Sequence, residues 1–212
     1  MGDGEPATEA VLRKDDYSIA IHYGPSRRID FEYWSEETVR AIAGALAGAR
    51  VGEEFVADRL APVQELFVHR LLVGRPLCGS DAWNALRERF DAGHFRGYLT
   101  QQEIHRVDGA MEDVAGMVDS GDLRSALLRA RDVVGHATAA YAHACGNTNP
   151  LVKWRARIVE RLPERELTGY VRDSYTRLTF GACGPPDDRA AAMAFVEDCA
   201  RYSHRVVGWI QG

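Results

Sequence analysis

The stretch AAAMAFVEDCARYSHRVVGWI, residues 190–210, decides the fold class of this chain. Large side chains recur in it at alternating spacings of four and three residues: Phe195, Cys199, Tyr202, Val206 and Trp209. This period places them on one face of an α-helix, as in a helix that buries one side against its neighbours. The stretch therefore predicts a long helix that packs on other helices.

The same period, with helix start and stop signals, recurs through residues 51–212. Pro62 suits the first turn of a helix, Gly121 and Asp122 separate two helices, and Gly146 suits a helix C-terminus. Asn149 and Pro150 are typical of the N-cap and first position of a further helix. We therefore expect residues 51–212 to form an antiparallel helical bundle.

Residues 15–50 are predicted to form a β-hairpin and a short helix. Tyr17–Tyr23 and Arg28–Trp34 alternate between apolar and polar side chains, with a turn between them. We expect a β-hairpin whose apolar residues share one buried face, followed by a short helix capped by Ser35. Residues 1–14 are polar and without period, which predicts a disordered tail. The predicted fold is mainly α with a small β part, the hairpin packing on the bundle.

Composition and charge bound the class of protein. The chain has 212 residues, 46% hydrophobic and 27% charged, which suits a core with a solvated surface. A net charge of -5 and an isoelectric point near 5.8 argue against a nucleic-acid or anionic-membrane binder, which needs a basic face. The sequence shows no run of about 18 apolar residues and no signal-peptide pattern, so we expect a cytoplasmic protein that does not span a membrane.

The cysteines do not have the spacing of a metal site. Cys78, Cys145, Cys183 and Cys199 form no C-x-x-C pair and have no histidine at ligand spacing beside them. We expect free thiols, no bound metal and no cofactor.

Two carboxylates on the second predicted strand are candidate catalytic residues. Asp30 and Glu32 alternate with apolar neighbours and so leave the same face, where His22 of the partner strand could join them. Such a set could hold a divalent ion or act as acid and base. The alternative is an ordinary solvated strand face, with Arg27 or Arg28 nearby.

A second candidate site lies at the helix predicted to begin at Pro150. Lys153, one of only two lysines, would be its fourth residue, beside Arg155. A helix N-terminus with nearby cations favours an anion. The predicted ligand-binding residues are Lys153, Arg155, Asn149 and Trp154, and the alternative is a solvated helix face.

Arg131 and His136 have an Arg-x4-His spacing that is similar to that of HEPN ribonucleases. The chemistry would need the arginine to hold a phosphate and the histidine to move a proton. Because the chain is acidic and this spacing recurs often in helices, a nuclease is the minor alternative.

Three stretches carry a family resemblance. RRIDFEYWSEE at 27–37, ELFVHRLLVGRPLCG at 65–79 and GNTNPLVKWRAR at 146–157 resemble the small nucleotidyltransferases, the superfamily of kanamycin nucleotidyltransferase. The resemblance implies that Asp30 and Glu32 lie on the strand of the third catalytic carboxylate. It also implies that the helices form the accessory domain, which lends a lysine to nucleotide phosphates.

The sequence departs from that family in its catalytic signature. Upstream of Asp30 it has no Gly-Ser followed by a helix and an Asp-x-Asp strand, the segment that holds two metals in the family. We therefore expect a truncated nucleotidyltransferase-like protein that binds a small molecule, a nucleotide or a partner subunit without nucleotidyl transfer. The alternative is a metal-independent acid–base enzyme of secondary metabolism that uses Asp30, Glu32, His22 and Lys153.

The predicted hairpin leads to expectations about self-association and about where a ligand would lie. A hairpin without further strands has unpaired edges, which a homodimer would cover. A ligand would lie between the Asp30 and Glu32 face and the Pro150 helix, where carboxylates and Lys153 would suit a zwitterionic or phosphorylated molecule.

Overall fold

The computed structural model describes residues 9–24, 26–52, 57–185 and 187–212. The chain divides into two compact units, residues 1–45 and 46–212. The division falls in the last turns of the first helix, a few residues before the predicted boundary.

The first unit holds a three-stranded antiparallel sheet in the order β1-β2-β3, formed by Glu9–Arg13, Tyr17–Tyr23 and Arg28–Trp34. Helix α1, Glu36–Ala47, follows β3, and the Ser35 hydroxyl accepts a hydrogen bond from the Thr38 amide at 3.0 Å, as predicted for an N-cap. The prediction of a disordered tail is wrong for residues 9–13, which pair with β2, and residues 1–8 lie outside the described part.

The register of the hairpin differs from the prediction. Ile21 lies opposite Asp30 and Ile19 opposite Glu32, so the apolar residues of β2 share a face with the carboxylates of β3. Residues directly opposite each other in a sheet project to the same side. The predicted apolar face is therefore split, and its β3 half is exposed: Ile29 by 44%, Phe31 by 47% and Tyr33 by 58%.

The second unit is helical throughout its regular structure, and the mainly α fold class is confirmed. Aspartates cap its three longest helices: the side chains of Asp91, Asp122 and Asp188 accept hydrogen bonds from the first-turn amides that follow them. The helices are α2 (Pro62–Val73), α3 (Ser80–Arg87), α4 (Ala92–Asp119), α5 (Leu123–Ala144), α6 (Arg155–Glu160), α7 (Thr168–Phe180) and α8 (Arg189–Gln211).

Helix α5 lies at the centre of the second unit, with α4 on one side, α8 on another, and α6 and α7 also against it. The predicted stripe of α8 is confirmed, because Phe195, Cys199, Tyr202 and Val206 are buried in the core. Trp209 is half-buried, and its ring centroid lies 5.0 Å from that of Tyr141 on α5. Within the described residues, no helix is long and apolar enough to cross a membrane.

The helix predicted to begin at Pro150 does not form as expected. Asn149 Oδ1 accepts a hydrogen bond from the Leu151 amide at 3.0 Å, which makes an Asx turn. A 3-10 turn over Val152–Trp154 follows, and α6 begins only at Arg155. Lys153 therefore lies in the 3-10 turn rather than in the first turns of a helix.

Candidate anion-binding clefts

The sheet does not bring its three candidate residues together. Asp30 accepts two hydrogen bonds from the Arg28 guanidinium, at 2.6 and 2.8 Å, on a face where its side chain remains 43% exposed. His22 lies opposite Ile29, so it projects from the other face. The expectation that His22 joins Asp30 and Glu32 is wrong, because His22 lies opposite Ile29 in the observed register. Asp30 has the environment of a solvated strand face.

Arg131 and His136 also have separate surroundings. Arg131 donates to the Gly181 carbonyl at 3.0 Å and lies over the Phe195 ring. His136 Nδ1 lies 2.7 Å from Glu103 Oε2 on α4. The nuclease alternative, which needs Arg131 and His136 at one phosphate, stays a prediction.

Two adjoining clefts lie at the carboxyl end of α5. The first has a volume of about 580 Å³ and the second about 440 Å³. Cys145 and Gly146 contribute to both. Apolar residues of the first cleft include Ile158, Leu162 and Pro163, beside Trp154 and Asn149. The second is more polar, with Thr100, Gln101 and His143.

The end of α5 gives the clefts their shared wall. Gly146 has φ +106°, and its amide donates to the His143 carbonyl while the Asn147 amide donates to the Ala142 carbonyl. These two bonds and the left-handed glycine form a Schellman C-cap. Asn147 Oδ1 then accepts from the Asn149 amide at 2.7 Å, so consecutive Asx turns carry the chain along the first cleft.

A second loop, residues 161–167, brings two arginines to the clefts. Arg172 of α7 donates to the Val159 and Leu162 carbonyls at 3.2 and 2.6 Å, which fixes the end of α6 and the start of this loop. Thr168 donates to the Pro163 carbonyl and accepts from the Arg165 amide. Two residues of α7 therefore hold the loop: Arg172 contacts Leu162, and Thr168 contacts Pro163 and Arg165.

Four guanidinium groups line the clefts: Arg157 and Arg161 in the first, Arg96 and Arg165 in the second. No described lining residue of either cleft is a carboxylate. Burial raises the pKa of the Cys145 thiol, so the thiol adds no negative charge at neutral pH. The clefts thus concentrate positive charge in a chain whose net charge is -5.

Trp154 lines the first cleft, and two cations lie over its ring. The Arg157 guanidinium lies 6.0 Å and the Lys153 ammonium 5.6 Å from its ring centroid, both within the range of cation–π contacts. The indole is 42% exposed and offers its surface to the first cleft.

His143 belongs to the lining of the second cleft, although it is only 2% exposed. Its Nδ1 lies 2.8 Å from the Asn147 carbonyl oxygen, so this nitrogen carries the proton that it donates. Burial lowers the pKa of the imidazole, which keeps the ring neutral at pH 7. In that tautomer Nε2 has a lone pair and no proton.

Only some of the predicted ligand-binding residues lie at the clefts. Asn149 and Trp154 line the first cleft, and Lys153 contacts the Trp154 ring. Arg155 lies against α5 instead: a Cβ atom on Gly135 would come within 2.4 Å of Arg155 Nη1. The predicted approach of Asp30 and Lys153 joins the two units and stays a prediction.

Sequence reasoning missed the four cleft arginines. Arg157, Arg161 and Arg165 recur every fourth residue, a spacing that indicates one helix face. Pro163 interrupts that helix, however, and Arg96 comes from a segment far away in the sequence. The only usable signal was the density of arginines in RARIVERLPER at 155–165.

A buried polar network lies elsewhere in the second unit. Glu103 contacts both His136 and the Arg106 guanidinium, and Arg106 also contacts Asp58. Burial raises the pKa of Glu103, but the contacts with His136 and Arg106 outweigh it and leave this pKa below its usual value. Glu65 is only 3% exposed, and its Oε1 has no hydrogen-bond partner among the described residues.

Burial raises the pKa of Glu65 to about 7, despite the nearby Arg106 charge. The residues of this network line neither cleft. Among the described residues, no group of three or more histidine, cysteine or acidic side chains is arranged to hold a metal ion.

Comparisons with protein-family models, with curated proteins and with solved structures found no match to this chain. The relationship to nucleotidyltransferases therefore stays a prediction from the sequence.

Proposed function

We propose that this protein binds a small organic anion in the arginine-lined clefts at the carboxyl end of α5. The observation that carries the proposal is the set Arg96, Arg157, Arg161 and Arg165, which lines two adjoining clefts without a described carboxylate. Guanidinium groups bind carboxylates and phosphates through paired, charge-assisted hydrogen bonds.

The charge at the clefts exceeds what the fold itself requires. The carboxyl end of α5 carries roughly half a negative charge, which one nearby arginine would offset. None of the four arginines forms a salt bridge with a described residue, whereas Arg129, Arg172 and Arg177 each contact a carboxylate. The surplus positive charge is thus available to a ligand.

The proposal assigns binding, rather than nucleotidyl transfer, to this chain. Asp30, the position that the resemblance gives to the third catalytic carboxylate, is paired with Arg28. In a chain of nucleotidyltransferase ancestry, which the sequence resemblance implies, the helical unit would be the part that binds the ligand.

Isothermal titration with inorganic phosphate and with benzoate, at constant ionic strength, tests the proposal. We expect the double variant Arg161→Gln/Arg165→Gln to lose about tenfold or more in affinity, a loss of about 1.4 kcal/mol. The matched control is Arg87→Gln/Arg89→Gln, which removes the same charge from positions that line neither cleft. Equal losses in both variants, or no binding by the native protein, would overturn the proposal.

Acid–base catalysis on the bound anion is the second candidate function. The observation that favours it is His143, which lines the second cleft with a neutral ring whose Nδ1 proton is held by Asn147. Its Nε2 could accept a proton from the carbon next to the carboxylate of a bound anion. Incubation of candidate carboxylic acids in deuterated water, followed by mass spectrometry, tests this: native protein should exchange a carbon-bound proton and His143→Gln should not. Equal exchange by both, or none by the native protein, would reject it.

A further inference from the structure

We infer that the two clefts form one bipartite site for an elongated organic dianion, with one acidic group in each cleft and an apolar segment between them. This inference rests on the proposed binding function and specifies the ligand class.

Two residues at the end of α5 belong to both clefts, so the clefts adjoin. His143 and Ala144 line the second cleft, Cys145 and Gly146 line both, and Ala142, Asn147 and Asn149 line the first. Consecutive Cα atoms are about 3.8 Å apart, so the passage from Ala144 to Asn147 covers at most roughly 11 Å. The separation of the clefts along α5 is therefore within the length of a small dicarboxylate.

Each cleft supplies its own pair of guanidinium groups. Arg157 and Arg161 belong only to the first, and Arg96 and Arg165 only to the second. Two separated cationic pairs match two separated acidic groups better than a single one, which would leave one pair without a counter-charge. The linings therefore favour a dianion over a monoanion.

The two residues shared by the clefts, Cys145 and Gly146, suit a compact, uncharged segment of the ligand. Gly146 has no side chain there, and its left-handed backbone disfavours any residue that has one. Cys145 presents a protonated thiol, and the first cleft continues with the apolar Ala142, Ile158 and Leu162. A hydrocarbon segment between two acids would contact these groups without leaving a polar group unpaired.

A series of dicarboxylates tests the inference without knowledge of the natural ligand. Succinate, adipate, suberate and sebacate would be titrated calorimetrically beside butanoate, hexanoate, octanoate and decanoate, at constant ionic strength. If one molecule spans both clefts, the second contact is intramolecular, and a matched length gains affinity. We expect an optimal dicarboxylate that binds on the order of tenfold or more tightly than its monocarboxylate.

Variants locate the two contacts. Arg161→Gln in the first cleft and Arg165→Gln in the second should each reduce the optimal dicarboxylate to the affinity of the monocarboxylate of equal length. The control Arg89→Gln should retain the advantage.

The outcomes separate the two proposals. Mono- and dicarboxylates that bind equally at every length would overturn the bipartite site and leave the proposed function standing. Failure of every acid to bind would overturn the proposed function itself. A dicarboxylate advantage that survives both cleft variants would also overturn the bipartite site, because the second acid would then lie elsewhere.

Discussion

Tyr141 Oη and Thr168 Oγ1 lie 2.8 Å apart in the interior of the helical unit. The Thr168 hydroxyl has one hydrogen, which it donates to the Pro163 carbonyl, so Tyr141 donates in this pair. The chain Tyr141–Thr168–Pro163 links the central helix to the loop that carries Arg161 and Arg165.

Thr168→Val should destabilise the protein and weaken anion binding together. The substitution leaves the Tyr141 hydroxyl and the Pro163 carbonyl without their partner, at a cost of about 1–3 kcal/mol in the free energy of unfolding. Chemical denaturation and phosphate titration measure the two effects. Thr176→Val, an exposed change on the same helix, is the control. A stability loss in Thr168→Val no larger than that in the control would refute the role of these hydrogen bonds.

Arg172→Lys should lower anion affinity while it preserves the net charge. The guanidinium reaches the Val159 and Leu162 carbonyls at once, and an ammonium group has no planar fork with which to do so. The loop would then hold Arg161 less firmly. Arg177→Lys on the same helix, which removes a guanidinium from Asp198, is the matched control. Unchanged affinity in Arg172→Lys would show that the loop keeps its position without this anchor.

Glu65 should contribute a loss of stability as pH rises from about 4.5 to about 7. Its raised pKa means that the folded state keeps a proton that the unfolded state releases across this window. The effect of this one group is at most about 3 kcal/mol and is complete above the folded pKa.

Glu65→Gln should therefore remove that slope and raise the stability at pH 8 relative to the native protein. Denaturant titrations at several pH values measure it, with the exposed Glu88→Gln as the control. A native and a Glu65→Gln protein with parallel pH profiles would contradict the assignment of the slope to this carboxyl.

The sheet should mediate self-association. Phe31 and Tyr33 expose an apolar surface on β3, which is an edge strand of the sheet. Natural proteins usually cover such surfaces. We expect a homodimer by sedimentation equilibrium, and Tyr33→Asp should shift the mass towards the monomer. Tyr23→Asp is the matched control, because Tyr23 is 45% exposed on the opposite face. A native protein that stays monomeric at micromolar concentrations would reject the prediction.

The four cysteines should react as thiols at widely different rates. Cys78 is exposed, whereas Cys199 is buried and burial raises its pKa to about 12. Titration with a thiol reagent, without reductant, should show a fast phase that Cys78→Ser removes and a Cys199 phase that requires unfolding. The unfolded protein should yield all four thiols. A yield of two would instead indicate a disulfide.

Helix boundaries followed from local chemistry, and the sequence predicted several of them well. Asp122 caps α5, Pro62 begins α2 and Gly146 ends α5 in a left-handed conformation, all effects of one residue on its own backbone. The Pro150 helix failed because Asn149 forms an Asx turn, which uses the same residue types as an N-cap.

The hairpin register and the clefts could not be predicted in the same way. Alternation in β2 and β3 is compatible with either register, and the strands adopt the one that pairs Ile21 with Asp30. The clefts combine Arg96, Gly146 and Arg161 from three distant segments, so no local pattern encodes them.

The central position of α5 has a consequence for how sequences of this kind can vary. Its interior side chains are mostly small: Ala126, Ala130, Ala137 and Ala140 are all but fully buried, and Gly135 leaves room for Arg155. Each enlargement there would push against helices on several sides, in an interior without room to relax. We expect a saturation mutagenesis profile to show least tolerance along this helix, and natural relatives to differ mainly on the outer faces of α3 and α8.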